Sequence, residues 1–214
     1  MLINQNISNQ TRPCFKAKIL FSTSAYERSL KEIATEANQY VGIGVDKYVG
    51  YPWSIKDSKM LKKGYSDAAY ICTMGFIKPK GSDEGYLFHC IPFSSLNKLN
   101  PFEKIKEVLT PVISEFKKLK VGVEGILVGA RFGDENSMEQ AKSFMKFFDE
   151  NGISYSAFLG QTNYSRCKTN MFVSAPVDKY IITPKNSYEI LDLEKIKKYF
   201  DIVKIRPEDT VKFE

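Results

Sequence analysis

A strand–helix–strand pattern over residues 123–159 constrains the fold more than any other feature of the chain. Residues 123–132 (Val-Glu-Gly-Ile-Leu-Val-Gly-Ala-Arg-Phe) are mostly apolar, as a buried strand requires. Asn136 stands as an N-cap, and Glu139 three residues later completes a capping box. Ala141, Phe144, Met145 and Phe148 recur at helical spacing and predict that helix's buried face. Gly152 falls where a helix stops, and residues 153–159 turn apolar again. Such a β-α-β unit expects a right-handed crossover between two strands of one sheet.

Other stretches add strands and helices around this unit. Residues 68–77 (Ala-Ala-Tyr-Ile-Cys-Thr-Met-Gly-Phe-Ile) and 85–92 (Gly-Tyr-Leu-Phe-His-Cys-Ile-Pro) read as two strands. The turn formers of Lys78 to Glu84 join them, which predicts an antiparallel hairpin. Residues 102–119 carry a helical stripe from Ile105 to Leu119, which Pro111 should kink or divide. Residues 41–49 form a strand weakened by two glycines, and the Gly-x-Gly there is a weak phosphate signal. A short apolar stretch, 15–21, precedes an amphipathic helix over 25–40 with Ser24 as its cap and Leu30, Ile33, Ala34 and Ala37 on one face. Residues 171–183 offer one or two strands, 193–200 a short helix, and the tail is polar. Residues 1–13 read as a disordered polar lead. The pattern is that of an α/β or α+β domain with antiparallel and parallel strands and helices over the sheet.

The 214 residues suit one domain with a sizeable core. The formal charge is +6, but the lysines are interspersed with Glu and Asp. Pairs such as Lys62-Lys63, Lys117-Lys118 and Lys197-Lys198 are scattered, which argues for a solvated surface and against a nucleic-acid footprint. The cysteines, Cys14, Cys72, Cys90 and Cys167, form no Cys-x-x-Cys pair, so a zinc knuckle or redox motif is not indicated. A chain of this size folds without disulfides, and free thiols are expected. No apolar run resembles a secretory signal or spans a membrane. The expectation is a cytoplasmic protein, or one exported without a cleaved signal peptide.

Scarcity directs the chemistry. His89 is the one histidine, so any thiol–imidazole or hydroxyl–imidazole site in a single chain must use it. There is no Gly-x-Ser-x-Gly elbow, which favours cysteine as nucleophile. If the hairpin's centre lies between Lys80 and Gly81, Cys72 sits opposite His89, with β-carbons roughly 4.5–5.5 Å apart. An imidazolium neighbour lowers a thiol's pKa from its usual value of about 8.5. Cys90 would point to the opposite face. The alternative is structural: Cys72 a buried small hydrophobe and His89 a hydrogen-bonded core residue.

Several motifs taken in order resemble the chemoreceptor glutamine deamidases (CheD), within the superfamily that includes deamidating toxins of the cytotoxic necrotizing factor type. Val41-Gly-Ile-Gly-Val-Asp-Lys-Tyr is similar to that family's opening strand. Cys72 and His89 are separated as the family separates its catalytic pair, and Pro92 follows as in His-x-x-Leu-Pro. Val128-Gly-Ala-Arg-Phe resembles the Gly-Gly-Ala strand end. Gly133-Asp-Glu-Asn-Ser-Met-Glu resembles the run that opens the following helix, and Gly160-Gln-Thr-Asn-Tyr-Ser-Arg166 stands where the family has Gly-Gly-Asn-Arg-x-Arg.

The resemblance implies a single α+β domain, with mixed sheets in a sandwich-like core flanked by helices, over residues 41–214. Residues 1–40 would be an N-terminal extension. It implies a cofactor-free, metal-free deamidase in which Cys72 attacks a glutamine side-chain amide of a protein substrate and His89 shuttles the proton. Ser66 stands where the family has its third catalytic residue, a threonine, and Thr73 is its rival. Asn163, Arg166 and Thr73 are the residues that would contact substrate. The chain departs from the family at Tyr70-Ile71, where the family has Gly-Ser, and at Val128. This fits a divergent relative, such as a host-directed effector or toxin, better than an orthodox chemotaxis protein. The competing readings are a catalytically weak or inactive protein-binding module of the same fold, another cysteine hydrolase such as a peptidase or thioesterase, and, least supported, a basic nucleic-acid binder.

Overall fold

A computed structural model describes residues 16–22, 42–43, 59–92, 100–162, 169–184 and 192–213. The lead at 1–13, the helix at 25–40 with its Ser24 cap, and most of the strand at 41–49 lie outside the described residues. The fold is α+β, built on two mixed sheets.

The first sheet contains β1 (Lys18–Phe21), β2 (Gly42–Ile43), β4 (Lys63–Ala69), β9 (Thr169–Ser174), β10 (Lys179–Pro184) and β12 (Thr210–Phe213), in the order β12-β1-β10-β9-β4-β2. The second contains β3 (Lys59–Leu61), β5 (Thr73–Pro79), β6 (Gly85–Cys90), β7 (Val123–Arg131), β8 (Ser154–Gln161) and β11 (Phe200–Lys204), in the order β11-β8-β7-β5-β6-β3. β1 pairs in parallel with both β10 and β12, so residues 18–21, read from sequence as part of an extension, are integral to the first sheet.

Helix α1 (Pro101–Lys118) and helix α2 (Glu135–Glu150) cover the outer face of the second sheet. Alternation along each strand gives the sheet two apolar faces. Leu127 and Ala130 of β7 and Ile77 of β5 face the helices, against Ile105, Leu109, Phe144 and Phe148. Ile126, Val128, Met74 and Phe76 face the first sheet and meet Ile19, Phe21, Met171 and Tyr180 there. Edge-to-face packing of Phe21 on Phe158, with ring centroids 5.0 Å apart, lies in this inter-sheet core. A short helix α3 (Leu193–Tyr199) closes one end of it with Ile196.

The β-α-β expectation holds: β7 and β8 are parallel neighbours joined through α2. Gly152 follows the helix as expected, and its φ of 66° is left-handed. The N-cap, however, is Asp134 and not Asn136. Its carboxylate accepts the Ser137 N–H at 2.8 Å, since a charged acceptor suits the helix's positive end. Met145 is only partly buried, and Phe147 shares the buried face instead. Pro111 does not divide α1: it sits on the exposed side, where water can satisfy the carbonyl that loses its donor. The polar tail supplies β11 and β12, which sequence reading missed.

Two corrections bear on the site. Residues 68–77 are not one strand: the chain leaves the first sheet at Ala69, bends at Tyr70 and Ile71, and enters the second sheet at Thr73. The hairpin register also differs by two residues, because His89 faces Met74 and Cys90 faces Thr73. A turn closed by Ser82 N–H to the Pro79 carbonyl at 3.0 Å, with Gly81 at φ 77°, moves the centre of the pairing one position along the chain.

Candidate active site

Cys72 lies at the corner where the chain crosses from one sheet to the other, and three main-chain carbonyls around it are held from different elements. Gln161 of β8 donates its side-chain N–H to the Ala69 carbonyl at 3.1 Å. Ser137 of α2 donates its hydroxyl to the Ile71 carbonyl at 2.5 Å. The Ala130 N–H at the end of β7 donates to the Cys72 carbonyl at 2.7 Å. The corner is therefore satisfied although it belongs to neither ladder.

The end of β7 is shaped for this contact. Gly129 has φ 110°, and a β-carbon there would lie 2.4 Å from the Cys72 carbonyl oxygen. Ala130 is left-handed at φ 57°, a conformation a residue with a β-carbon adopts at a cost of roughly 1–2 kcal/mol. The Gly-Ala pair noted in the sequence thus has a physical reason: no other residue fits against the corner at position 129.

His89 and Ser66 meet between the sheets. Leu87 of β6 lies in the inter-sheet core, whereas Phe88 and Cys90 face the helices, so His89 points into the inter-sheet space. Ser66 of β4 is on the inward face with Met171, while Tyr65 and Phe172 pack on the outer one. Ser66 Oγ is 2.9 Å from His89 Nδ1, and both residues are buried. A bulge in β4 between Ser66 and Ala69 breaks the strand's alternation, so that Ala69 also turns inward ahead of the corner.

Cys72 is not directly opposite His89 as the sequence register predicted. Continuing the ladder places it across from Ile91, diagonal to His89 on the same inward face as Met74. Diagonal neighbours in a regular ladder are roughly 7–8 Å apart, with their β-carbons somewhat closer. The thiol is not lowered either. Cys72 is 8% exposed, and burial pushes its pKa up to about 12. Main-chain hydrogen bonds at Ile71 and Tyr70 favour the thiolate without offsetting that burial. The resting residue is a neutral thiol.

The remaining candidates separate cleanly. Thr73 is fully buried and, one residue from Cys72, points to the helix side, away from His89. It neither orients the imidazole nor offers a surface to substrate, which corrects its assignment. Cys90 faces the helices, as expected, and burial raises its pKa well above the usual thiol value. Asn163 and Arg166 lie outside the described residues, as do Cys14 and Cys167. Sequence reading missed Ser137, Gln140, Gln161 and Arg131. The guanidinium of Arg131 stacks on the Tyr70 ring at 4.8 Å, beside the corner. Membership of Arg131, Ser137 and Gln161 in the three motif runs was the one hint of a role, and Gln140 had none.

A surface depression of about 670 Å³ lies along the exposed side of α2, lined by Phe132, Glu135, Met138, Glu139, Lys142 and Asp201 among others. It contains none of Cys72, His89 or Ser66. Among the described residues, no group of three or more His, Cys, Asp or Glu side chains is arranged to hold a metal ion. No described helix is long and apolar enough to cross a membrane.

The sequence matches no protein-family model and no curated protein.

Proposed function

We propose that the chain is a cysteine hydrolase that converts glutamine side chains of a protein substrate to glutamate, with Cys72 as nucleophile, His89 as general base and acid, and Ser66 orienting His89. The observation that carries this reading is the 2.9 Å separation of Ser66 Oγ and His89 Nδ1 between the sheets, with Cys72 lining the same inter-sheet core. A histidine that donates Nδ1–H to a fixed hydroxyl presents Nε2 as the acceptor, which is the tautomer a general base needs.

In this mechanism the Cys72 thiol gives its proton to His89 Nε2 as the sulfur attacks the amide carbon. The tetrahedral adduct collapses when His89 returns the proton to the departing ammonia, leaving a thioester. Water, deprotonated by His89, then attacks the thioester, releasing glutamate and restoring the thiol. The buried neutral thiol makes proton transfer part of the attack step, in place of a standing thiolate–imidazolium pair. No cofactor enters these steps.

One observation favours a second reading. A thiol 8% exposed, with its pKa pushed up to about 12, also suits a protein-binding module that keeps the fold without turnover. The two separate in one experiment: glutamine-containing peptides and whole-cell extracts are incubated with the wild type or Cys72→Ser, and glutamine-to-glutamate mass changes are sought. Conversion that requires Cys72 supports the hydrolase. No conversion, together with extract proteins retained equally by both forms, supports the binding module.

A further inference from the structure

The first turns of α2 reach the main chain on both sides of the candidate site. Ser137 Oγ, besides donating to the Ile71 carbonyl, accepts the Arg131 N–H at 2.8 Å. One turn later, Gln140 Nε2 donates to the Ile91 carbonyl at 2.8 Å. Ile71 precedes Cys72, and Ile91 lies two residues beyond His89. Because Thr73 faces Cys90, the next pair outward is Cys72 with Ile91, where β5 and β6 have both ended. The helix thus bridges the two strand ends at the point where their own ladder stops.

Neither side chain is there for its own helix. The Ser137 N–H is already capped by Asp134, which leaves the hydroxyl for the corner. Gln140 is fully buried and, among the described residues, its Oε1 has no partner, a costly choice at a helix position that an apolar residue would fill more stably.

We infer that Ser137 and Gln140 are positioning residues for the reaction, a clamp from α2 that fixes where Cys72 stands relative to His89. This rests on the proposed hydrolase reading. Loss of either bond lets its strand end drift and misaligns the thiol with the imidazole, while leaving both groups intact.

The test uses the full chain and two readouts that a purely structural role would not move. These are the rate at which iodoacetamide alkylates Cys72 at pH 7 and the NMR signals of the imidazole, which are unambiguous with one histidine in the chain. Ser137→Ala and Gln140→Leu should each slow alkylation about tenfold, the order set by one buried hydrogen bond, and shift the His89 resonances. Ser137→Thr, which keeps the hydroxyl, should restore both. Ser156→Ala is the control: Ser156 bridges the Arg206 N–H and Asp209 far along β8, so its loss should cost stability alone. If the clamp variants behave like Ser156→Ala, destabilised but with unchanged alkylation and His89 signals, the inference is overturned and the hydrolase reading stands. If wild-type alkylation is itself indifferent to His89→Ala, both fall together.

Discussion

Ser66 and His89 approach from different sheets: Oγ on β4 lies 2.9 Å from Nδ1 on β6, and the contact is buried between the two layers. Ser66→Ala should therefore release the imidazole. The His89 ¹⁵N shifts should move away from a pure Nδ1–H tautomer, and turnover should fall about tenfold or more, with stability reduced by roughly 1–3 kcal/mol. Ser66→Thr should keep both within a fewfold of wild type. Unchanged ¹⁵N shifts in Ser66→Ala would contradict the orienting role.

Burial of Cys72 sets a pH dependence. Its pKa is raised to about 12 in the folded chain, against roughly 8.5 unfolded. Between those values the folded state holds a proton that the unfolded chain has lost. Stability from this group is therefore complete below about pH 8.5 and is lost as pH rises toward 12, by about 1.4 kcal/mol per pH unit. Urea unfolding of wild type and Cys72→Ala across pH 8–11 should show a difference that shrinks as pH rises. A constant difference would mean that the thiol is not held protonated by the fold.

Gly129→Ala should damage the site more than its small size suggests. The added methyl would lie 2.4 Å from the Cys72 carbonyl, on a backbone with φ 110°. A cost of about 1–3 kcal/mol is expected, with turnover lost because the corner must shift. Thermal unfolding together with Cys72 alkylation would check this. Full alkylation at wild-type rate would show that the corner tolerates displacement.

At the opposite end of β5 the sheets are joined by buried charge. Lys78 contacts Asp178 and lies 3.5 Å from Glu124, while Arg206 pairs with Glu124 at 3.0 Å and with Asp209 at 2.7 Å. Lys78→Met leaves Asp178 buried without its cation and should cost roughly 3–5 kcal/mol in denaturant unfolding. Cys72 alkylation below the transition should be unchanged, since Lys78 lies six residues along the strand. A loss below about 1 kcal/mol would show that the network adds little.

The sequence disclosed those parts of the fold whose causes are local. The β7-α2-β8 unit and the α1 stripe follow from periodicity and turn chemistry, and the structure contains both, while 171–183, read as one or two strands, holds most of β9 and of β10. The break at Tyr70 and Ile71 was hidden because an apolar run reads the same whether it stays in one sheet or crosses to another. Only the distant acceptor-holders Gln161, Ser137 and Ala130 make the crossing stable. Strands β11 and β12 were missed for a related reason: their polar residues alternate on exposed edges, and pairing with β8 and β1 supplies what propensity does not. Cys72, His89 and Ser66 were legible as residue types in a spacing. Their geometry was not, because a hairpin register depends on one turn glycine and the diagonal placement of Cys72 follows from it.

Whether His89 activates Cys72 is decided by the rate at which iodoacetamide alkylates Cys72 at pH 7, read residue by residue in wild type and His89→Ala. The rate should be at least tenfold lower in His89→Ala, the scale of a lost general base, with Cys90 unreactive in both. Equal rates at Cys72 in the two proteins would contradict that activation and leave the pair as buried structure.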